Sequence, residues 1–258
     1  METLSLGKHN SKLTDLRKAI ERGTLTSEGL LPIEGPKLVE EAKRSGIHID
    51  SVFLRKGTEF EITGFTSNIY EVEPAVFRSI QSTETSQGVI AAVRMPSFNL
   101  PDLLRARNPL LVVMARLQDP GNVGTIFRVA ECFDSSSCIG LKGTASVFNS
   151  KTVRASAGSL FRLPYAWDLD GQAVFDAIKD AGIKVIGTSP AASESIDHWD
   201  WSKPAAVVIG NEGSGLSEEE IHNCDVVLRI PHNAEVESLN SATAAAVVLY
   251  EAFRQRHS

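Results

Sequence analysis

Six apolar residues in succession, Leu110–Ala115 (LLVVMA), leave few folds open to this chain. A strand with one solvated face alternates apolar and polar residues. An unbroken run suits a strand buried on both faces, as in a parallel sheet with helices on either side. The neighbouring segments agree. Val123, Ile126, Phe127 and Ala130 recur at helical spacing within Val123–Phe133, and Ser137–Leu141 and Lys184–Gly187 read as strands, with Ala173–Ala181 as a crossover helix. Ala205–Ile209 and Val226–Ile230 complete the sheet. The last helix, Ala242–Arg254, is apolar nearly all round in its first half, which calls for burial on more than one side. Its own sheet covers one side and a second copy of the chain the other, so a homodimer is expected.

A chain of 258 residues exceeds what one core needs, and a second, smaller α/β alternation precedes the first. Leu13, Leu16 and Ile20 share a helical face that Gly23 closes; Gly29–Ile33, Ser51–Leu54, Ile69–Val72 and Val89–Val93 read as strands; Pro36 and Pro74 open helices. Residues 96–108 contain Pro96 and Pro101 and meet Pro109, which marks a linker with a brief helical turn at Asp102–Arg107. The expected domains are therefore 1–95 and 109–258.

The formal net charge is −6 but unevenly spread: residues 91–167 carry nine basic and four acidic groups, whereas 168–258 carry six and fifteen. The middle third is a candidate polyanion-facing surface, with Arg94, Arg105, Arg107, Arg116, Arg154 and Arg162 as its candidate contacts. Three cysteines without a CxxC pair and scattered histidines give no support to a metal site or disulfide framework, and read as reduced core thiols. No apolar run is long enough to cross a bilayer, and the start METLSLGKHNSK lacks an export pattern, so a cytoplasmic protein without membrane contact is expected.

Three segments lie just after strands, where open α/β sheets bind ligands. The first, Asp119–Ala130 (DPGNVGTIFRVA), turns at Pro120–Gly121 and places Arg128 in the opening turns of a helix. The second, Gly210–Glu220 (GNEGSGLSEEE), packs three glycines into six residues, and Ser217 with Glu220 forms a capping box. It lacks the lysine of a phosphate-binding loop and the spacing of a dinucleotide fingerprint, so it suits amine or hydroxyl groups better than a triphosphate. The third, Arg229–Arg256, leads through Ile230–Pro231 to Ser238-Leu239-Asn240, where either Ser238 or Asn240 can cap the last helix. Each segment by itself is also what an ordinary capped turn looks like.

In this order, the three resemble the motifs of the SpoU (TrmH-like) family of RNA ribose 2′-O-methyltransferases. Asn122, Gly124 and Arg128 match the first motif, Gly210, Glu212, Gly213 and Gly215 the second, and Ile230, Pro231, Ser238, Leu239 and Asn240 the third. Lys151–Tyr165 is similar to the segment joining motifs one and two, and residues 1–95 are similar to the family's small ribosomal-protein-like substrate-binding domain. The resemblance implies a parallel-sheet α/β domain with a trefoil knot, against the general rule that chains do not thread loops. It implies S-adenosylmethionine bound at Gly187, Thr188, Gly210, Asn211, Gly215, Ile230, Ser238 and Leu239. It also implies methyl transfer to a ribose of structured RNA, ribosomal or transfer RNA, with Arg128 central and Asn122, Glu212, Ser238 and Asn240 around it. A guanidinium has no acceptor lone pair, so phosphate gripping and alkoxide stabilisation suit Arg128 better than general base catalysis. Glu212 is expected to hold it through a charge-assisted pair. His232, Ala234 and Ser241–Thr243 depart from the family pattern, which often has Met, Gly and Val-Ser-Val there. A catalytically silent RNA binder of this fold, a base-directed knot-fold methyltransferase and an unrelated nucleotide-binding enzyme are the competing readings.

Overall fold

The computed structural model describes residues 4–7, 10–61, 68–233 and 235–258; Ala234 falls outside them. The chain packs as two compact units, Met1–Pro96 with Ser146–Arg162, and Ser97–Ala145 with Leu163–Ser258. The segment 146–162, inside the stretch read from sequence as the second domain, thus packs with the first unit.

In the first unit, β1 (Leu4–Leu6), β2 (Leu31–Glu34), β3 (His48–Arg55), β4 (Asn68–Val72) and β5 (Val89–Arg94) form a sheet in the order β1-β4-β3-β5-β2. Helix α1 (Ser11–Arg22) starts where the Asn10 side chain accepts from the Lys12 amide and stops at Gly23 in the left-handed conformation, φ 62°. Its Leu13 and Leu16 bury against Phe53, Tyr70, Phe77 and Ile90. The helices α2 (Pro36–Arg44) and α3 (Pro74–Phe77) both begin at proline, whose fixed φ suits a first turn.

The second unit is a seven-stranded sheet, β10-β12-β9-β11-β6-β7-β8. Its strands are β6 (Leu110–Met114), β7 (Ser137–Leu141), β8 (Tyr165–Leu169), β9 (Lys184–Thr188), β10 (Glu194–Ser195), β11 (Ala205–Ile209) and β12 (Val226–Arg229), and every pairing is parallel. All residues of β6, β7 and β11 are buried, as unbroken apolar runs require. The linker turn is α4 (Leu100–Leu103), earlier than the charged stretch 102–107 suggested, because the Asn99 side chain caps the Asp102 amide and Pro101 occupies the first turn. Helices α5 (Pro120–Cys132), α7 (Gly171–Asp180), α8 (Glu218–Asn223) and α9 (Ser241–Arg256) cover the sheet, and α5 packs against α9; α6 (Ser150–Ala155) belongs to the first unit. The loops after β6, β9, β11 and β12, all neighbours in the sheet, lie at its carboxyl end.

Candidate active site and cofactor cleft

Parallel pairing sends the chain out of β6, β9, β11 and β12 at one edge, and the loops after β9, β11 and β12 line a cleft of about 310 Å³. Thr188, Gly210, Asn211, Gly215, Ile230, Ser238 and Leu239, all named from sequence, line it. Gly187 stands behind it: a Cβ there would lie 2.8 Å from Cys224 Sγ and 2.9 Å from Leu216 Cδ1, so its smallness serves packing. Sequence reasoning missed Ser189, Pro190, Ile209, Ile221 and Ser241 as lining residues, since nothing local in the chain separates them from ordinary loop, strand-end and helix residues.

The loop after β11 is closed on itself. Asn211 and Gly215 exchange backbone hydrogen bonds at 3.1 and 2.9 Å, and Asn211 Oδ1 accepts from the amides of Gly213 and Ser214. A Cβ on Gly210 would meet the Gly215 carbonyl carbon at 2.5 Å, so only glycine allows this closure. Ser217 and Glu220 form the expected capping box of α8.

Glu212, Asn122 and Asn240 meet at the edge of the cleft. Glu212 Oε1 accepts from Asn122 Nδ2 at 3.0 Å and from the Asp119 amide at 3.2 Å, and Oε2 accepts from the Gln118 amide at 3.0 Å. Burial opposes ionisation of Glu212, but these donors outweigh it and hold its carboxyl below the usual glutamate range. Asn122 Oδ1 in turn accepts from Asn240 Nδ2 at 3.1 Å, and Asn240 Oδ1 caps α9 through the Ala242 and Thr243 amides. A carboxylate only accepts and helix-terminal amides only donate, so both asparagine amides are held in one orientation. Asn240, and not Ser238, is therefore the N-cap.

Arg128 stands apart from this chain of bonds. It is exposed on α5, and its side chain has no hydrogen bond or ion pair to the described residues; the Glu212 carboxylate is satisfied by Asn122, Gln118 and Asp119. The Glu212–Arg128 pair expected from sequence is thus not formed. The cause is helical geometry: six residues separate Asn122 from Arg128, about 9 Å along the axis and about a third of a turn around it.

The arginines read as one polyanion-facing surface are mostly engaged elsewhere. Arg116 pairs with Glu220, Arg105 with Asp102, and Arg162 with Glu41; Arg154 donates to Ser82 and Arg94 to the Glu28 carbonyl. Arg107 is exposed and, like Arg128, without a partner among the described residues. The cysteines also differ from the expectation of core thiols. Cys138 is buried and Cys224 half-buried, with burial raising its thiol to about 11, but Cys132 is exposed on α5. Among the described residues no cluster suited to a metal occurs, and no helix is long and apolar enough to cross a membrane.

A parallel sheet with a glycine-loop cleft at its carboxyl edge, and a cluster of asparagines and glutamate beside it, defines an α/β protein that binds its ligand at the strand ends. The profile of the SpoU rRNA methylase family matches residues 109–250, and that of the MRM3-like substrate-binding domain matches residues 10–91. The chain belongs to the SpoU rRNA methylase family. It is 32% identical over 242 residues to the 23S rRNA (guanosine(2553)-2'-O)-methyltransferase RlmP of Bacillus subtilis, covering 93% of this chain and 95% of that protein. It is 36% identical over 183 residues to a 23S rRNA (uridine(2479)-2'-O)-methyltransferase of Streptomyces viridochromogenes, covering 69% of this chain and 64% of that one. The crystal structure of the SpoU methyltransferase AviRb from that organism, in complex with AdoMet, superposes with a TM-score of 0.88 at 28% identity, over 97% of this chain and 99% of that one.

The cofactor of this family, S-adenosylmethionine, suits the cleft. Ile209, Ile230 and Leu239 offer apolar walls for a purine, while loop amides and the Thr188, Ser189 and Ser214 hydroxyls offer polar partners for a ribose and an amino acid. Among the described residues Glu212 and Glu237 line it and no lysine or arginine does, which favours a ligand carrying a sulfonium charge.

Proposed function

We propose that the protein is a cytoplasmic homodimer that transfers the methyl group of S-adenosylmethionine to a ribose 2′-hydroxyl of 23S ribosomal RNA. The observation that carries this reading is the bond chain Glu212–Asn122–Asn240 at the rim of a cleft that takes the cofactor. The bound cofactor supplies an electrophilic methyl on sulfur, and its leaving thioether is neutral. The protein's tasks are then to align the hydroxyl and ease loss of its proton. Asn122 and Asn240, fixed in orientation, position the ribose; Arg128 grips the neighbouring phosphate and stabilises the developing alkoxide. The S-adenosylmethionine contacts assigned to Gly210, Asn211, Gly215, Ile230, Ser238 and Leu239 belong to the same reading, as does the trefoil knot.

The homodimer is supported by the face that α5 and α9 leave open. Val247 is 37% and Tyr250 53% exposed, and the Tyr250 ring meets Phe133, next to exposed Cys132 and one turn from Arg128. Pairing two copies through this face covers the apolar stripe, and in this reading Arg128, which does not line its own cleft, serves the cleft of the partner. The experiment is a 2′-O-methylation map of ribosomal and transfer RNA from cells with and without the gene. Loss of one 23S rRNA ribose methyl is the expected result; loss confined to transfer RNA would refute the ribosomal target.

A further inference from the structure

Arg116 follows β6 with φ at 59°, a left-handed conformation that disfavours any residue with a Cβ. Its side chain bonds through two of its three nitrogens. Nε and Nη2 donate to Oε1 and Oε2 of Glu220 at 2.9 and 2.8 Å, a two-pronged pair, and Nη2 also donates to the Gly215 carbonyl at 3.3 Å. The Arg116 carbonyl accepts from Asn211 Nδ2 at 2.9 Å, and Glu220 Oε2 accepts from the Ser217 amide at 2.7 Å. Glu220 is 7% exposed, which makes its charge costly without this partner. Arg116 and Glu220 thus hold the loop 210–217 at its start, its turn and its end. Neither lines the cleft that this loop walls.

We propose that Arg116 and Glu220 form a latch that presets the Gly210–Ser217 loop for the cofactor, and so act as positioning residues for cofactor affinity. Arg116 is thereby assigned to the cofactor side of the reaction and not to RNA contact. The inference rests on the cleft being the S-adenosylmethionine site.

The test uses the full chain and S-adenosylhomocysteine. Arg116→Gly accepts the positive φ without strain and so keeps the fold while removing the latch; Glu220→Gln keeps an acceptor for Ser217 but weakens the arginine pair. Both are expected to raise the Kd for S-adenosylhomocysteine in calorimetry by about tenfold, with Arg116→Lys between them and wild type. The KM for S-adenosylmethionine should rise in parallel, while kcat at saturating cofactor and affinity for 23S rRNA stay within about threefold. Amide exchange across 210–217 should quicken in the unliganded variants. Unchanged S-adenosylhomocysteine affinity in Arg116→Gly, or a loss confined to RNA affinity, would overturn the latch. If S-adenosylhomocysteine protects no amide of 210–217 in the wild type, the cofactor-site reading fails and the latch with it. Protection in the wild type with unchanged variants sinks the latch alone.

Discussion

At the residue scale, Asn122 is held between partners that allow it one orientation, with Glu212 accepting from its amide nitrogen and Asn240 donating to its oxygen. Asn122→Asp puts a second carboxylate against Glu212 and turns an obligate donor into an acceptor. Methyl transfer should fall by at least about a hundredfold, the scale of losing one aligned polar group at a reacting centre. S-adenosylhomocysteine affinity should hardly move, because Asn122 does not line the cleft; an equal loss in both would place Asn122 in cofactor binding instead. Arg128→Ala should keep cofactor binding and lower the transfer rate below about a tenth of wild type, a smaller loss contradicting a central charge-stabilising role. Asn122, Glu212 and Asn240 were reachable through the resemblance that the three ordered motifs carry, since each motif by itself is also what an ordinary capped turn looks like. Their mutual bonds were not. Glu212 meets Asn122 across 90 positions of sequence, and Arg116 meets Glu220 across 104, so no local pattern could distinguish a paired Arg116 from a surface one.

At the scale of elements, the central strands could be read directly, since LLVVMA and AAVVI are apolar throughout and lie buried on both faces. Strand β8 escaped notice. Its Asp168 takes a positive φ of 59°, and Trp167 lies over Gly140, where a Cβ would come within 2.4 Å of the ring, so its packing depends on a glycine in the neighbouring strand. Strands β1 and β10 are too short to show a period. The loop after β11 was visible as glycine-rich, but its closure is held by carboxylates with a pH signature. In Glu220, burial opposes ionisation, and the bonds from Arg116 and Ser217 outweigh it, so its carboxyl is lowered, as in Glu212. A lowered carboxyl contributes stability that is complete above the ordinary glutamate value of 4.5 and is lost as pH falls through the lower, folded value. Amide exchange in 210–217 should therefore be flat from neutral pH down to about 5, once corrected for intrinsic rates, and should rise below about 4. A rise already near pH 6 would contradict the assigned bonds.

At the scale of the whole molecule, each unit keeps its own sheet and core, and the charge asymmetry of the sequence resolves into ion pairs and hydrogen bonds within units more than into one basic surface. The proposed pairing through the open α5–α9 face has a specific consequence. Chains carrying Arg128→Ala retain a cleft, and chains carrying Gly210→Val retain Arg128 but lose the loop closure that a Cβ forbids. If Arg128 serves the partner's cleft, mixing the two inactive chains should restore transfer; no recovery in proven mixed dimers would mean that it serves its own. Fold class, cofactor and reaction type were all reachable from the ordered motifs, whereas the separation of Arg128 from its own cleft depends on helical phase and packing. The most direct test of the account is transfer from methyl-labelled S-adenosylmethionine to deproteinised 23S rRNA by the purified protein, followed by digestion and nucleoside mass spectrometry. Label is expected in a 2′-O-methylnucleoside and is expected to be lost in Arg128→Ala. Label in a base methyl group, or none with cofactor bound, would contradict it.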